Sequence, residues 1–448
     1  MIAKLDEKNF DEIINEINSI SNSICEDMDI VDDLVKIVKI LKENKEELAF
    51  RQSKENGKPI KDSLNEVDRC IAHVESGIKL LTEEKKILEK RTEQGRKIYT
   101  FYENYIPRGI VLAFTTVSSP YSSIIHKLVA ALVYGNSFVY KPSPNVYACT
   151  EYLQTIIDGA ISDATHKRIY CLLIEKMSIV NKLLRVMHFD CFLFTGKSEN
   201  AKKIKKIIGR TAAVFETGSS AMAYVGCIED SQMFIIAEQL IGAAYSQSGM
   251  RCIGLKNVFV RKDILDKFLK CLLEAFDRIN VGNPMDINTM VGPILGQKER
   301  QTIHNEINRL LLSGYEVLGI KEINDKTYIS PMLLFQSESL EPSIREIFGP
   351  VLCVHVVNSV AEIEKIYLKR SGLNISIYSS EKKEIQKFIN VANYSGNICI
   401  NFGPNIRLDE LPFGGYEDEN ENKEGIKELK RILTRQQLII KEDKEDAI

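Results

Sequence analysis

The sequence predicts an α/β protein built on two largely parallel sheets. Three observations carry that expectation. Residues 110–114, 123–133 and 137–141 read as an apolar strand, an apolar helix and a second apolar strand, which is a βαβ unit. Strands apolar on both faces belong to parallel sheets covered by helices on either side. After Glu216 the alternation resumes with a helix over 234–245, a strand over 258–260 and a helix over 263–279, whose apolar residues include Ile264, Phe268, Leu272 and Phe276. Finally, 448 residues with 44% apolar content are enough for two or three domains, each with its own core.

In chain order, residues 1–90 show helical periodicity and almost no strand signal, clearest over 31–41. Gly57 and Pro59 mark a helix stop and turn within that layer. From Ile98 the texture becomes β-prone, and 99–106 ahead of Pro107 and Gly109 reads as an arm or edge strand. The helix over 123–133 ends at Gly135 and Asn136. A strand over 191–194, a helix over 199–208 and a strand over 212–215 complete the first series. Gly282, Asn283 and Pro284 stop the helix 263–279, and further strands are expected at 315–318, 351–357, 375–379 and 397–401. Residues 433–440 form a last β-prone segment before a charged tail.

Composition narrows the function. The 59 basic and 62 acidic residues give a net charge of −3 and are interspersed, which argues against a nucleic-acid partner. Lys4, Asp6, Glu7 and Lys8 stand where a secretory signal needs an apolar core, and no later apolar run approaches the ~20 residues of a spanning helix. A cytoplasmic protein without a membrane partner is expected. The ten cysteines form no Cys-x-x-Cys unit and no compact Cys/His cluster, so they read as reduced, mostly buried thiols with no metal site.

Four segments carry chemistry. Cys252 stands in a small-residue turn between a helix and a strand, although a lone thiol is more often a small buried hydrophobe than a nucleophile. Glu216 closes the strand 212–215 ahead of Thr217 and Gly218, so a thiol and a carboxylate on two strand ends can face one cleft. Glu346 and Phe348 precede the strand 351–357, and Leu411-Pro412-Phe413-Gly414-Gly415-Tyr416 is the fourth segment. Ligands of open parallel sheets bind at the carboxyl ends of the strands, where Lys141, Ser143, Gly196 and Lys197 lie. The helix beginning at Glu199 can offer free amides to a pyrophosphate, although Gly196 has no Gly-x-Gly-x-x-Gly companions and could be only a tight turn.

In this order and at these separations the set resembles the aldehyde dehydrogenase superfamily along nearly the whole chain. The resemblance implies a Rossmann-type dinucleotide-binding domain (1–95, 109–217 and 402–424), an α/β catalytic domain (218–401) and a small β oligomerisation arm (96–108 and 425–448). It implies NAD or NADP as cofactor and a small-molecule aldehyde as substrate. By the resemblance Cys252 would attack the aldehyde, the thiohemiacetal would give a hydride to the nicotinamide, and Glu216 would activate the water that hydrolyses the thioester. Thr115, Lys141, Ser143, Gly196, Lys197, Thr217, Gly218, Glu346 and Phe348 are the implied cofactor residues. Among them Lys141 contacts the adenosine ribose, Glu346 holds the nicotinamide ribose and Phe348 packs on the ring. The closing strand would pair with a neighbouring subunit, giving a homodimer or homotetramer.

Cys252-Ile253 and the stretch 403–409 are similar to the branch that handles short hydroxy- or acid-bearing aldehydes. Arg407 is then an anion or hydroxyl binder, or else a structural partner of Asp409 or Glu410. Arg251 either depresses the thiol pKa or lies on the surface. Two positions depart from the family. Ser118 stands where an asparagine donates to the oxyanion, and Pro144 where a glutamate grips the adenosine ribose. Cys252 also follows Glu216 by 36 residues, two more than usual, and the extra pair is placed in the loop 226–232. A CoA-acylating dehydrogenase and a non-catalytic dinucleotide-binding homologue are the alternatives. Glu216 argues against the first, and retention of both Cys252 and Glu216 against the second.

Overall fold

The computed structural model describes residues 1–20, 27–83, 89–94, 97–336, 346–367, 372–393, 395–407, 411–416 and 423–443. Its first sheet has six parallel strands in the order Ile2–Lys4, Ile169–Leu173, Ser137–Lys141, Ile110–Phe114, Cys191–Thr195, Ala212–Glu216. The chain builds outward from Ile110–Phe114 on one side, then returns to add Cys191–Thr195 on the other. That reversal opens a crevice at the carboxyl ends of these two central strands, where open α/β sheets bind ligands. Thr115 and Thr195 border it.

The helix Pro120–Val133 covers one face of this sheet and is buried nearly all round, which explains its continuous apolar character. The helices Asp27–Glu43 and Ile60–Glu83 pack over it through Leu34, Ile37, Val67 and Val74. The opposite face is filled by Phe192, Phe194, Phe215 and the apolar sides of Phe10–Asn18, Met177–Val186 and Ser198–Ile208.

The second sheet has seven strands in the order Glu316–Ile320, Met332–Gln336, Val351–Val357, Asn257–Arg261, Met222–Val225, Gly372–Tyr378, Ser395–Ile400. All neighbours are parallel except the first pair. Asp230–Tyr245 and Leu265–Asp277 cover one face. A third sheet is antiparallel, with Lys97–Pro107 between Thr434–Asp443 and Glu89–Gln94.

Several elements differ from the sequence expectation. Ile2–Lys4 is a strand within the segment read as helical: three residues are too few for any periodicity, and backbone pairing with Ile169–Leu173 alone makes it. Lys97–Pro107 is the centre of its sheet rather than an edge. Glu89–Gln94 pairs with Lys97–Pro107, although it lies outside the residues 96–108 expected to open the arm. The helix Ile426–Leu433, placed with the arm, buries Ile426, Leu429 and Leu433 in the core of the first sheet. The strand Met222–Val225 follows Glu216 directly, and the loop expected over 226–232 gives way to helix at Asp230.

Candidate active site

Cys252 is presented by a loop that the backbone makes tight. Gln247, Ser248 and Gly249 have φ of 54°, 57° and 70°, three successive left-handed residues of which only the last is free of Cβ strain. Glycine is required at 249 because a Cβ there would strike the carbonyl of Gly349. The strain is held by specific bonds. Gln247 N donates to Asp62 Oδ2 at 2.9 Å, Ser248 Oγ bonds the backbone of Gly292, and buried Lys256 donates to Gly249 O. The thiol rests half-buried against Ile253, Leu373 and Phe413.

Thr195 and Glu216 are register partners at the ends of adjacent parallel strands, so their side chains are brought together by the sheet itself. Thr195 Oγ1 donates to Glu216 Oε2 at 3.0 Å and accepts from Lys127 Nζ at 2.7 Å; Lys127 also reaches Glu424 Oε1 at 3.3 Å. Arg407 spans the two acids, with Nη1 3.8 Å from Glu216 Oε1 and Nη2 3.7 Å from Glu424 Oε2, while stacking over Phe413 at 4.0 Å. These are the partners found for Arg407; Asp409 and Glu410, the ones expected from sequence, lie outside the described residues.

The electrostatics divide the two carboxyls. Burial raises Glu216, and the neighbouring Glu424 adds to it, against the pull of Lys127 and Arg407. Burial would raise Glu424 as well, but Lys127, Arg407 and its bonds to Glu216 and Lys127 hold it below the usual carboxylate value. Burial and then Glu216 push the Cys252 thiol up to about 11, despite Arg407, Arg69 and Arg251 nearby. Arg251 is thus a neighbour of the thiol and no surface residue, its Nη2 donating to Asn405 O at 3.3 Å, yet it does not bring the thiol below its ordinary value.

The expected cofactor residues lie at strand ends of the first sheet and in the segments around Thr217 and Glu346. Thr115 is buried, and its Oγ1 has no hydrogen-bond partner among the described residues. Lys141 ends its strand with Nζ on Pro142 O at 3.0 Å, pushed down to about 8 by burial, and Ser143 opens the turn Pro144–Val146. Gly196 N donates to Glu216 O, and Lys197 faces Glu299 at 3.9 Å ahead of the helix Ser198–Ile208. Thr217 is buried, and Gly218 leaves the space that the Glu346 carboxylate fills. Glu346 Oε1 accepts from Ser219 N at 3.1 Å; burial raises this carboxyl, against Lys256, which also lies 5.9 Å from the Phe348 ring. An orphaned hydroxyl, a poised carboxylate and a helix N-terminus around one crevice fit a dinucleotide.

Ser118 borders a cavity of about 230 Å³ shared with Lys58, Asn145, Gln247 and Met250. Its hydroxyl lies 3.3 Å from Thr116 Oγ1, and its carbonyl accepts from Lys58 Nζ. Sequence reasoning did not single out Lys127, Glu424 or His126. The available signal was Ile125-His126-Lys127-Leu128, two titratable residues inside an otherwise apolar helix.

Comparison with known proteins agrees with this architecture. The aldehyde dehydrogenase family profile matches residues 29–438. A lactaldehyde dehydrogenase of Methanococcus maripaludis is 30% identical over 399 residues, covering 88% of this chain and 83% of that one. A 3-sulfolactaldehyde dehydrogenase of Priestia aryabhattai is 25% identical, covering 91% and 85%. In fold, the glyceraldehyde-3-phosphate dehydrogenase GapN of Methanocaldococcus jannaschii, solved with NADP, superposes with a TM-score of 0.87 at 24% identity over 98% of this chain and 96% of that one. Aldehyde dehydrogenase 21 of Physcomitrella patens, solved with succinate, gives 0.89 at 21% identity over 99% and 92%. A thiol and a raised carboxyl near the carboxyl ends of the first sheet, in a chain matched by one family over residues 29–438, make this protein a member of the aldehyde dehydrogenase family, an oxidoreductase that acts on aldehydes with NAD or NADP.

Proposed function

We propose that the enzyme oxidises a short aldehyde carrying an anionic or hydroxyl group near its carbonyl to the carboxylic acid, with Cys252 as nucleophile and Glu216 as base. The observation that carries the substrate class is the set of cations around the thiol: Arg407, Arg69 and Arg251 all act on Cys252. Three guanidiniums in a shielded site favour an anion and disfavour an alkyl or cationic substrate. The names of the relatives, lactaldehyde, 3-sulfolactaldehyde and sulfoacetaldehyde dehydrogenases, describe hydroxy or anionic aldehydes of this kind.

The residues support a definite order of proton movements. A thiol at about 11 is protonated at neutral pH, so attack requires a base, and Glu216 is the charged group that most raises the thiol. The sulfur forms its bond to the carbonyl carbon as the proton leaves toward Glu216. Behind Glu216 the chain Thr195, Lys127, Glu424 gives that proton hydrogen-bonded neighbours at 3.0, 2.7 and 3.3 Å. When bound, NAD or NADP supplies hydride acceptance. Glu216 releases the first proton to solvent, then takes a proton from water as it adds to the thioester; the carbon–sulfur bond breaks, Glu216 returns that proton to the sulfur, and the acid leaves with the Cys252 thiol restored. Glu346, Lys141, Ser143, Thr115 and the Gly196-Lys197 turn would hold the dinucleotide, Thr217 and Gly218 would frame it, and Ser118 would donate to the oxyanion beside the Cys252 amide. Pro144, exposed where a ribose-binding glutamate would repel a 2′-phosphate, supports use of either dinucleotide.

The three sheets also support a division into dinucleotide-binding, catalytic and arm units. The exposed Leu438, Ile439 and Ile440 on the outer strand Thr434–Asp443 support assembly into a homodimer or homotetramer. Nine free cysteines among the described residues support a reducing, cytoplasmic location. No described helix is long and apolar enough to cross a membrane.

The test compares kcat/KM for 3-sulfolactaldehyde, 2-hydroxypropanal and butanal, with Arg69→Gln alongside the wild type. The proposal expects the anionic and hydroxy substrates to lead and Arg69→Gln to lose at least about tenfold on the anion alone. Butanal turned over best would refute the substrate class, and a dependence on added CoA would turn the chemistry to acylation.

A further inference from the structure

The loop that presents Cys252 closes round a buried cation. Lys256 immediately precedes the strand Asn257–Arg261, and its backbone is fixed on both sides: its N–H donates to Ala221 O and its carbonyl accepts from Cys353 N, each at 3.0 Å. Its side chain turns back into the loop and is 2% exposed. Nζ donates to Gly249 O at 2.5 Å, and a Cβ at Gly254 would come within 3.3 Å of Nζ. The ammonium thus lies against both ends of the segment 249–254, with Cys252 between them. Gly249 directly follows the left-handed Gln247 and Ser248, so a grip on its carbonyl holds the strained turn as a whole.

The same ammonium reaches the segment that carries Glu346 and Phe348. Nζ is 5.9 Å from the centre of the Phe348 ring, within cation–π range. Gly249 packs so closely on that segment that a Cβ would come 2.1 Å from Gly349 O and 2.8 Å from Pro350 N. Glu346 is in turn bonded to Ser219 N at 3.1 Å, in the turn after Glu216. Burying an ammonium is costly, and a neutral donor would already satisfy one carbonyl. The charge makes that bond about twice as strong and adds attraction to the ring and the carboxylate. Burial pushes Lys256 down to about 8, against the pull of Glu346 and then Cys252, which leaves it charged at neutral pH.

We propose that Lys256 is a positioning residue for the oxidation: its ammonium holds the Cys252 loop in register with the Glu346–Phe348 segment, so that the carbon bonded to the thiol faces the hydride acceptor. This rests on Cys252 being the nucleophile and on the dinucleotide lying against Glu346 and Phe348. Lys256 moves no proton in this role. It acts on geometry, and a misplacement of about 1 Å between reacting atoms costs on the order of a hundredfold in rate.

The experiment mixes the wild type, Lys256→Met, Lys256→Gln and Cys252→Ala rapidly with 2-hydroxypropanal and whichever of NAD and NADP the wild type reduces, and reads the first turnover at 340 nm. Hydrogen exchange of residues 247–254 is measured in the same proteins without dinucleotide. Lys256→Met keeps an unbranched apolar side chain but no donor. Its first turnover should be about thirty- to a hundredfold slower at an unchanged amplitude per protein, with the KM for aldehyde within about threefold. A misfolded fraction would instead lower the amplitude and leave the rate constant. Residues 247–254 should exchange about tenfold faster in this variant. Lys256→Gln, a neutral donor one bond shorter, should be about tenfold slower than the wild type, and it carries the test alone should Lys256→Met fail to fold. With Cys252→Ala silent, a first-turnover rate constant within about threefold of the wild type, or unchanged exchange over 247–254, overturns the assignment of Lys256 alone. Reduction of the dinucleotide by Cys252→Ala, or none by the wild type, overturns the reading of the site and this assignment with it.

Discussion

The helix Pro120–Val133 touches two buried clusters of charge that use similar residues to opposite ends. At its start, Glu66 accepts from Lys58 and from Gln52 Nε2 on one oxygen, and from Ser122 N at 3.0 Å on the other. One acid meets one base in direct hydrogen bonds. Further along, Lys127 joins Glu216, Glu424 and Arg407, where two acids share two bases and the ion-pair distances run from 3.3 to 4.0 Å. There burial and Glu424 leave Glu216 with a raised pKa. The first cluster fixes where a helix begins; the second keeps a carboxylate ready to take a proton. Direct bonding and charge balance distinguish structure from chemistry here, since both clusters are equally buried.

The comparison can be broken from the structural side first. Glu66→Ala leaves Lys58 as an uncompensated buried cation and should cost about 3–5 kcal/mol in denaturant unfolding, the largest stability effect expected of either cluster. The pH profile of the enzyme that remains folded should not move. A shifted profile would mean that the first cluster also tunes the site.

Lys127→Met should lower kcat by about a hundredfold with little change in dinucleotide affinity. Because Lys127 lowers the Glu216 pKa, its loss should carry the acid limb of kcat/KM to higher pH. The linked stability has a definite sign. A carboxyl whose folded pKa is raised contributes stability below its unfolded pKa and loses it as pH rises through the folded value. Glu216→Gln should therefore melt later than the wild type at neutral pH, and a lower melting temperature would contradict the raised pKa.

Asp62 marks a smaller effect. Its carboxylate accepts from Gln247 N in the strained loop, while burial raises its pKa above the ordinary value. Asp62→Asn keeps the acceptor oxygen and should lower kcat by only about three- to tenfold. An effect as large as that of Lys127→Met would place Asp62 in the chemistry rather than behind the loop.

What could be read from sequence follows the same division. Glu216 ends a strand ahead of Gly218, and Cys252 and Glu346 stand in glycine-containing loops just ahead of strands, so local pattern exposes them. Lys127 and His126 sit inside an apolar helix whose periodicity reads only as core. Glu424 lies in a charged stretch of sequence with no apolar pattern to mark it as buried, yet it is 2% exposed and bridges back to Phe413. Arg407 reads from sequence as an anion or hydroxyl binder or a partner of Asp409 or Glu410; its pairing with Glu216, 191 residues earlier in the chain, is long-range and leaves no local pattern. The central strands were legible because each is a continuous apolar run; Ile2–Lys4 was not, because pairing and not side-chain pattern makes it a strand.

The division of labour between Cys252 and Glu216 is tested most directly by rapid mixing of Glu216→Gln with aldehyde and dinucleotide, read at 340 nm, with mass spectrometry of the quenched protein. Neutral glutamine removes the charge that most raises the thiol, so attack proceeds without that base, more slowly than in the wild type, but it cannot take the proton of the hydrolytic water; one equivalent of reduced dinucleotide should form per active site and then stop, with the acyl group on Cys252. Steady turnover at the wild-type rate, or an acyl group on any other cysteine, would contradict the assignment.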